Sequence, residues 1–276
     1  MTDTSWLRQV AIALGLTFLC LGQAIAQDEL VFGSVAMDIP AEMHKRLKPL
    51  TGYLSREMGM PVRLQLSPNM ADAIDKVASG KVDLAYLTPV AYLDSHAKGD
   101  TRLLVKTVTK GHDSFQLMIV ARADGPIKAV ADLHDRSFAF GDPKALLQRA
   151  VVVGSGITLD QLGETAFIGH YDNIARGVMA GDFDAGIVKD TKAYEWERKG
   201  LKIIYASAPL PPYNIAVRHE LAPELAERLK QAFLKLNVHN PAHLPVIKAL
   251  NSNYDGFAAT TDSEYDVVRR LVKPFR

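Results

Sequence analysis

Apolar runs of strand length alternate with amphipathic runs of helical length along most of the chain. The short apolar runs predict strands over Leu30–Ser34, Val62–Leu66, Val82–Leu87, Leu103–Thr109, Phe115–Ala121, Ser137–Phe140, Ala166–Ile168, Ala185–Val188, Ile203–Ala206 and Ile215–Arg218. Between them, a period near 3.6 predicts helices over Ala41–Met58, Met70–Ala78, Lys144–Val153, Asn173–Ala180, Lys192–Lys199, Pro223–Leu236 and Ser263–Leu271. Such alternation predicts an α/β fold with mostly parallel strands. Asp142-Pro143 carries an N-cap followed by Pro, and Gly154 is placed to end the same helix. Gly80 and Gly181 fall where left-handed helix ends belong.

One pattern occurs twice. Ala78-Ser79-Gly80-Lys81-Val82-Asp83-Leu84-Ala85-Tyr86 matches Met179-Ala180-Gly181-Asp182-Phe183-Asp184-Ala185-Gly186-Ile187 in type and order. Each runs on to an Ala-Tyr pair, Ala91-Tyr92 and Ala193-Tyr194. Repetition of a helix-Gly-x-apolar-Asp-strand unit predicts two similar α/β lobes facing each other across a cleft.

The Pro-rich stretch Ser207-Ala208-Pro209-Leu210-Pro211-Pro212 suits an extended crossover and not a helix. The long apolar run from Phe115 suits a crossing in the other direction. The expected partition is a first lobe from residues 27–114 and 213–276, and a second from residues 115–212. A double crossing makes a hinge, and hinge closure traps ligands.

The amino terminus has a different pattern. Val10 to Leu21 is uninterrupted and apolar, preceded by Arg8. It is too short for a bilayer span of roughly 20 residues. With Ala24-Ile25-Ala26 behind it, it fits a secretory signal cleaved after Ala26, which places the protein in the periplasm. Residues 1–26 are therefore excluded from the fold. Cys20 is the only cysteine, and the large Leu19 before it argues against lipidation. The cleaved chain then has neither disulfide nor thiolate chemistry.

Composition narrows the function classes. The 276-residue chain is 48% hydrophobic and 23% charged, with a formal net charge of +1, which excludes a disordered chain and a broadly cationic nucleic-acid binder. Gly154-Ser155-Gly156 is not a nucleophile elbow, and His239 and His243, with Pro241 between, do not form a metalloprotease helix. No catalytic, metal or cofactor constellation is assembled, so an enzyme is not expected.

Ligands of open parallel sheets bind beyond the carboxyl ends of the strands. That rule selects Tyr86, Thr88 and Tyr92, then Asp142 and Lys144, then His170, Tyr171 and Asp172, then Lys189 and Asp190, and Tyr213 after the Pro-rich crossover. Helix amides near Lys144 suit an anion, although Asp142 suits them equally as a cap. The tyrosines offer apolar faces and hydroxyls. His170 with Asp172, and Lys189 with Asp190, are candidate polar pairs. Each is also compatible with a plain structural role.

The chain resembles the PhnD-like family of periplasmic binding proteins associated with phosphonate, phosphite and phosphate ABC transporters. The resemblance is carried by Pro49-Leu50 and Tyr53-Leu54, by Gly80-Lys81-Val82-Asp83-Leu84-Ala85, and by Gly125-Pro126-Ile127, Asp132-Leu133 and Phe140-Gly141-Asp142-Pro143. It continues in Gly169-His170, in Gly181-Asp182-Phe183-Asp184-Ala185-Gly186 and in Ile203 to Pro211. It implies a two-lobed type II periplasmic-binding-protein fold with a hinge, a monomer, and His170 as the family histidine. Where the family carries a Ser-Thr-Ser-Gly anion motif, this chain has Lys144-Ala145-Leu146-Leu147, and Tyr213 stands where the family uses an acid near the second crossing. The expected function is capture of a small polar ligand for an ABC permease, with a phosphorus oxyanion as one candidate. The alternative is a ligand-sensing domain for a membrane signalling partner.

Overall fold

The structure is a computed structural model that describes residues 29–35, 40–143 and 145–276. The expected signal segment, Cys20 and the candidate Lys144 lie outside the described residues.

In chain order the elements are β1 (Leu30–Val35), α1 (Pro40–Met58), β2 (Val62–Ser67), α2 (Met70–Ala78), β3 (Leu84–Leu87), α3 (Pro89–Gly99), β4 (Arg102–Thr109) and β5 (Leu117–Arg122). There follow β6 (Phe138–Phe140), α4 (Leu146–Gly154), β7 (Thr165–Phe167), α5 (Tyr171–Ala180), β8 (Ala185–Lys189), α6 (Asp190–Glu197) and β9 (Leu201–Ala206). The chain ends with β10 (Asn214–Val217), α7 (Pro223–Lys235), α8 (Leu244–Leu250), β11 (Tyr254–Ala259) and α9 (Asp266–Val272). Six strands form a sheet in the order β11-β4-β10-β3-β1-β2, and five form a second in the order β7-β6-β8-β5-β9.

The expectation of mostly parallel strands does not hold. β1 pairs in parallel with β2 and β3, and β6 with β7 and β8. β10 is antiparallel to β3 and β4, β11 to β4, and β5 to β8 and β9. The reason is topological. β5 and β10 are the first strands after each crossing, and each is inserted between two strands that run the other way.

Local chemistry sets the helix starts. Asn69 caps α2, its side chain accepting from the Asp72 amide at 2.9 Å. Thr88 caps α3 by accepting from the Ala91 amide at 3.2 Å, with Pro89 in the first turn. At Asp142-Pro143 the helix does not start where the sequence places it. The Ala145 amide bonds back to the Asp142 carbonyl at 2.9 Å, and α4 begins only at Leu146, with Ala145 at the cap position.

Three apolar layers hold the fold. α1, α7 and α8 bury Leu47, Leu50, Leu54, Phe233 and Ile247 against Phe32 and Ile215. Met118, Val120 and Val188 pack under Ile174 and Val178 of α5 on one face of the second sheet. The third layer is shared: Val77, Leu87 and Tyr92 connect through Tyr265 and Val268 to Val151, Phe138 and Ile119. Its keystone is α9, which packs on α3 of the first unit and α4 of the second. A fully buried side chain of this size contributes about 1.5–3 kcal/mol. Among the described residues no helix is long and apolar enough to cross a membrane.

Candidate functional site

The two crossing segments lie side by side. Phe115 and Leu210 exchange backbone hydrogen bonds of 2.9 and 2.7 Å, and the Ser207 amide donates to the Leu117 carbonyl at 3.0 Å. The parallel strand β8 ends at this line, and β6 and β7 lie beside it in the same sheet. Their loops are tied together where the Gly169 amide donates to the Gly141 carbonyl at 3.0 Å. The end of β8 is tied to the crossing, since the Asp190 amide donates to the Gln116 carbonyl at 2.9 Å.

Lys189 lies at this line, and Tyr171 is close enough to Tyr213 to act on it electrostatically. Lys189 is the last residue of β8, and its Nζ sits 5.1 Å above the Phe115 ring. Among the described residues no carboxylate lies within ion-pair distance of it. Burial holds its pKa below the usual 10.5, Asp190 opposes that shift, and Lys110 reinforces it. Tyr171 opens α5, and its hydroxyl is 3.4 Å from Gln148 Nε2. Gln148 is itself held by the Gly141 amide, which donates to Oε1 at 2.8 Å. Tyr213 stacks on Tyr86 with ring centroids 5.1 Å apart. The Tyr86 and Tyr254 hydroxyls are 2.6 Å from each other. Burial raises the phenol pKa of Tyr86, Tyr171, Tyr213 and Tyr254, so all four stay protonated at physiological pH. The charges of Tyr171 and Tyr254 would each raise that of Tyr213, which places the three rings within one field.

The other sequence-selected residues are engaged in the scaffold or stand apart. Asp190 accepts from the amides of Gln116 at 2.8 Å and Thr191 at 2.6 Å. Asp172 is ion-paired with Lys192 at 2.9 Å. Thr88 is the α3 cap. Tyr92 is buried, stacks edge-on against Tyr265, and donates to Asp262 at 2.5 Å. His170 is exposed at the start of α5 and makes no side-chain cap bond. Asp142 is exposed.

Three residues at the site escaped sequence reasoning: Phe115, Gln148 and Tyr254. Gln148 leaves a trace in the sequence, as a polar residue on the buried face of α4. The other two arrive from distant segments with no local mark. Among the described residues no group of three or more His, Cys, Asp or Glu is placed to hold a metal ion. In chemical terms, the arrangement offers one ammonium, several phenol O–H donors and aromatic walls, which suit a small anion.

Comparison with known proteins agrees with this architecture. The phosphate-import protein PhnD of Mycolicibacterium smegmatis is 27% identical over 265 residues, covering 84% of this chain and 83% of the relative. The structure of XAC2383 from Xanthomonas citri bound to chloride superposes with a TM-score of 0.73 at 20% identity, over 90% of this chain and 99% of that one. PhnD1 from Prochlorococcus marinus in complex with methylphosphonate gives a TM-score of 0.69 at 14% identity, over 90% and 98%. The likeness shows the two-lobed fold of type II periplasmic binding proteins. The family described as "ABC transporter, phosphonate, periplasmic substrate-binding protein" matches residues 32–265, and the chain belongs to it.

Proposed function

We propose that this protein is the solute-binding component of an ABC importer and that it closes on a small phosphorus oxyanion between its two lobes. The observation that carries the proposal is Lys189, a half-buried ammonium with no carboxylate partner among the described residues, at the line where both crossings meet the strand ends. A buried cation without a counter-ion is costly unless an anion arrives to pair with it. Tyr171 and Tyr213 are offered as further hydroxyl donors, and Gln148 holds the Tyr171 hydroxyl. The names of the relatives favour phosphorus over other oxyanions: one is a phosphate-import protein and another holds methylphosphonate.

Residues 110–116 and 207–213 act as the hinge, with residues up to 114 and from 213 forming one lobe and 115–212 the other. Export follows cleavage after Ala26, and the permease reads the closed state. The test is a thermal-unfolding series on the exported protein with phosphate, phosphite, methylphosphonate, sulfate and acetate. Ligand at 100 times its Kd stabilises by about 2.7 kcal/mol, which raises Tm by roughly 5–10 °C for a chain of this size. A rise with phosphorus oxyanions alone supports the proposal. A rise with acetate or sulfate only, or with none of the five, refutes it.

A further inference from the structure

Residues 260–276 leave β11 of the first lobe and carry α9 into contact with both α3 and α4. The contacts on the two sides differ in kind. Toward the first lobe they are polar and directional. The Tyr92 hydroxyl donates to Asp262 Oδ1 at 2.5 Å, and Lys106 Nζ donates to Glu264 Oε2 at 2.5 Å. Arg276, at the end of the chain, is ion-paired with Asp94 of α3. Within the segment, Arg269 holds both Asp262 and Asp266 and so braces the entry to α9. Lys106 is buried and also holds Asp113 of the first crossing at 2.8 Å. The next amide, Thr107, donates to the Tyr213 carbonyl of the second crossing at 2.9 Å. Two adjacent residues of β4 therefore grip both crossings and the C-terminal segment. Toward the second lobe the contact of α9 is apolar. Val268 and Val272 are fully buried in one cluster with Ala150 and Val151 of α4. A Cβ on Gly154 would stand 2.7 Å from Leu271 Cδ2, so the helices touch there with no side chain of α4 between them.

We propose that residues 260–276 form a third connection between the lobes, fixed to the first, and that the second lobe slides along α9 at the Gly154–Leu271 contact when the cleft closes. The proposal rests on the hinge reading above. A rotation of one lobe against the other cannot leave both faces of α9 undisturbed. The face that yields is the one with the weaker directional constraint. Hydrogen bonds to charged groups depend on distance and angle and are lost within about 1 Å of displacement. Apolar contact is non-directional and scales with buried area, so it survives a small shift in register. Sliding of packed helices is one of the ways in which domains close. Gly154 suits the sliding face, because a side chain there would interlock with Leu271 as ridges do in grooves.

The test is a reversible lock across the sliding contact. Gly154→Cys and Leu271→Cys are combined in a Cys20→Ser background, which leaves no other thiol. Small-angle X-ray scattering with and without methylphosphonate reads closure as a fall in the radius of gyration. Wild type and the reduced variant are expected to contract on adding methylphosphonate. The oxidised variant should lose that contraction and regain it on reduction. An oxidised variant that contracts like wild type shows that α9 travels with the second lobe, and it overturns the proposal. Should the pair fail to fold or to oxidise, thiol labelling of single variants decides. The rate at Leu271→Cys should change severalfold with methylphosphonate, while that at Ser263→Cys, on the fixed side, stays constant. The same rate at Leu271→Cys with and without methylphosphonate overturns the proposal. A wild type that binds methylphosphonate without contracting overturns the hinge reading and this proposal, and leaves the oxyanion reading intact. A wild type that binds none of phosphate, phosphite and methylphosphonate overturns the oxyanion reading, and this proposal with it.

Discussion

Asp83 and Asp184 do the same work in the two sheets. Asp83 Oδ2 accepts from the Val31 amide at 2.7 Å, and Asp184 Oδ2 accepts from the Ser137 amide at 3.0 Å. In return the Asp83 amide donates to the Val31 carbonyl at 2.9 Å, and the Asp184 amide to the Ser137 carbonyl at 3.2 Å. Each aspartate enters a strand and locks the start of its parallel neighbour, β1 for β3 and β6 for β8. The repeated Gly-x-apolar-Asp pattern is therefore a register device used once per lobe. Asp184→Ala removes acceptors for the Ser137 amide and hydroxyl. It should cost about 1–3 kcal/mol, lowering Tm by roughly 2–12 °C, with ligand affinity unchanged. A neutral substitution would mean that the repeat carries no structural load.

Gly99 ends α3 against the last turn of α2. A Cβ there would lie 2.1 Å from the Ala78 carbonyl oxygen, a backbone atom that cannot swing aside. Gly99→Ala must push the two helices apart and should destabilise by about 1–3 kcal/mol. Denaturant unfolding checks this: an unchanged midpoint would show that the helix pair has slack.

Much of the architecture was legible because its signals are local. A glycine with positive φ follows α2 and α5, at Gly80 and Gly181, as the sequence pattern requires. Thr88-Pro89 is a working cap, whereas Asp142-Pro143 enters a turn in which the Ala145 amide bonds to the Asp142 carbonyl, and α4 starts at Leu146. β11 was not legible. Its Tyr254–Ala259 segment contains Gly256 at a bulge, and only pairing with the distant β4 makes it a strand. The site divides in the same way. Lys189, Tyr171 and Tyr213 follow from the strand-end rule, which is topological. Phe115 and Tyr254 belong to the site only through tertiary contact, which a linear pattern does not encode.

Tyr92 separates a scaffold tyrosine from a ligand tyrosine. Its hydroxyl donates to Asp262, which is also held by Arg269, and its ring packs on Tyr265. Tyr92→Phe loses one hydrogen bond to a charged group, about 1.5–3 kcal/mol of stability. Affinity for methylphosphonate should stay within about twofold of wild type, a difference of under 1 kcal/mol. A tenfold loss would place the Tyr92 hydroxyl on the ligand.

Glu195 gives the acid side of the stability profile. Lys199 and Lys192 lie 2.7 and 2.9 Å from its carboxylate and lower its pKa from 4.5 to about 2. A carboxylate with a depressed folded pKa stabilises the fold fully above its unfolded value and loses that contribution as pH falls through the folded one. The Tm difference between wild type and Glu195→Gln should therefore be constant above pH 4.5 and vanish as pH falls toward about 2. A difference independent of pH across that window would show that the pairs with Lys192 and Lys199 contribute nothing.

Lys189 sets the alkaline limit of binding. Burial lowers its pKa below 10.5 in the free protein, while a bound oxyanion favours the ammonium and pulls the pKa back up. Below the free-state pKa the ammonium is already present and affinity is at its plateau. Above it, binding must take up a proton, so affinity falls by about tenfold per pH unit until the bound-state pKa is reached. Tyr86, Tyr171 and Tyr213 have raised pKa values and keep their protons while Lys189 loses its own. Methylphosphonate is already a dianion across that range. Lys110 is the cation that reinforces the shift of Lys189, and Lys110→Met serves as the control. Titrations with methylphosphonate should therefore show an alkaline fall in wild type and Lys110→Met, and a weaker, pH-independent affinity in Lys189→Met. An alkaline fall that survives in Lys189→Met would remove Lys189 from the ligand's reach.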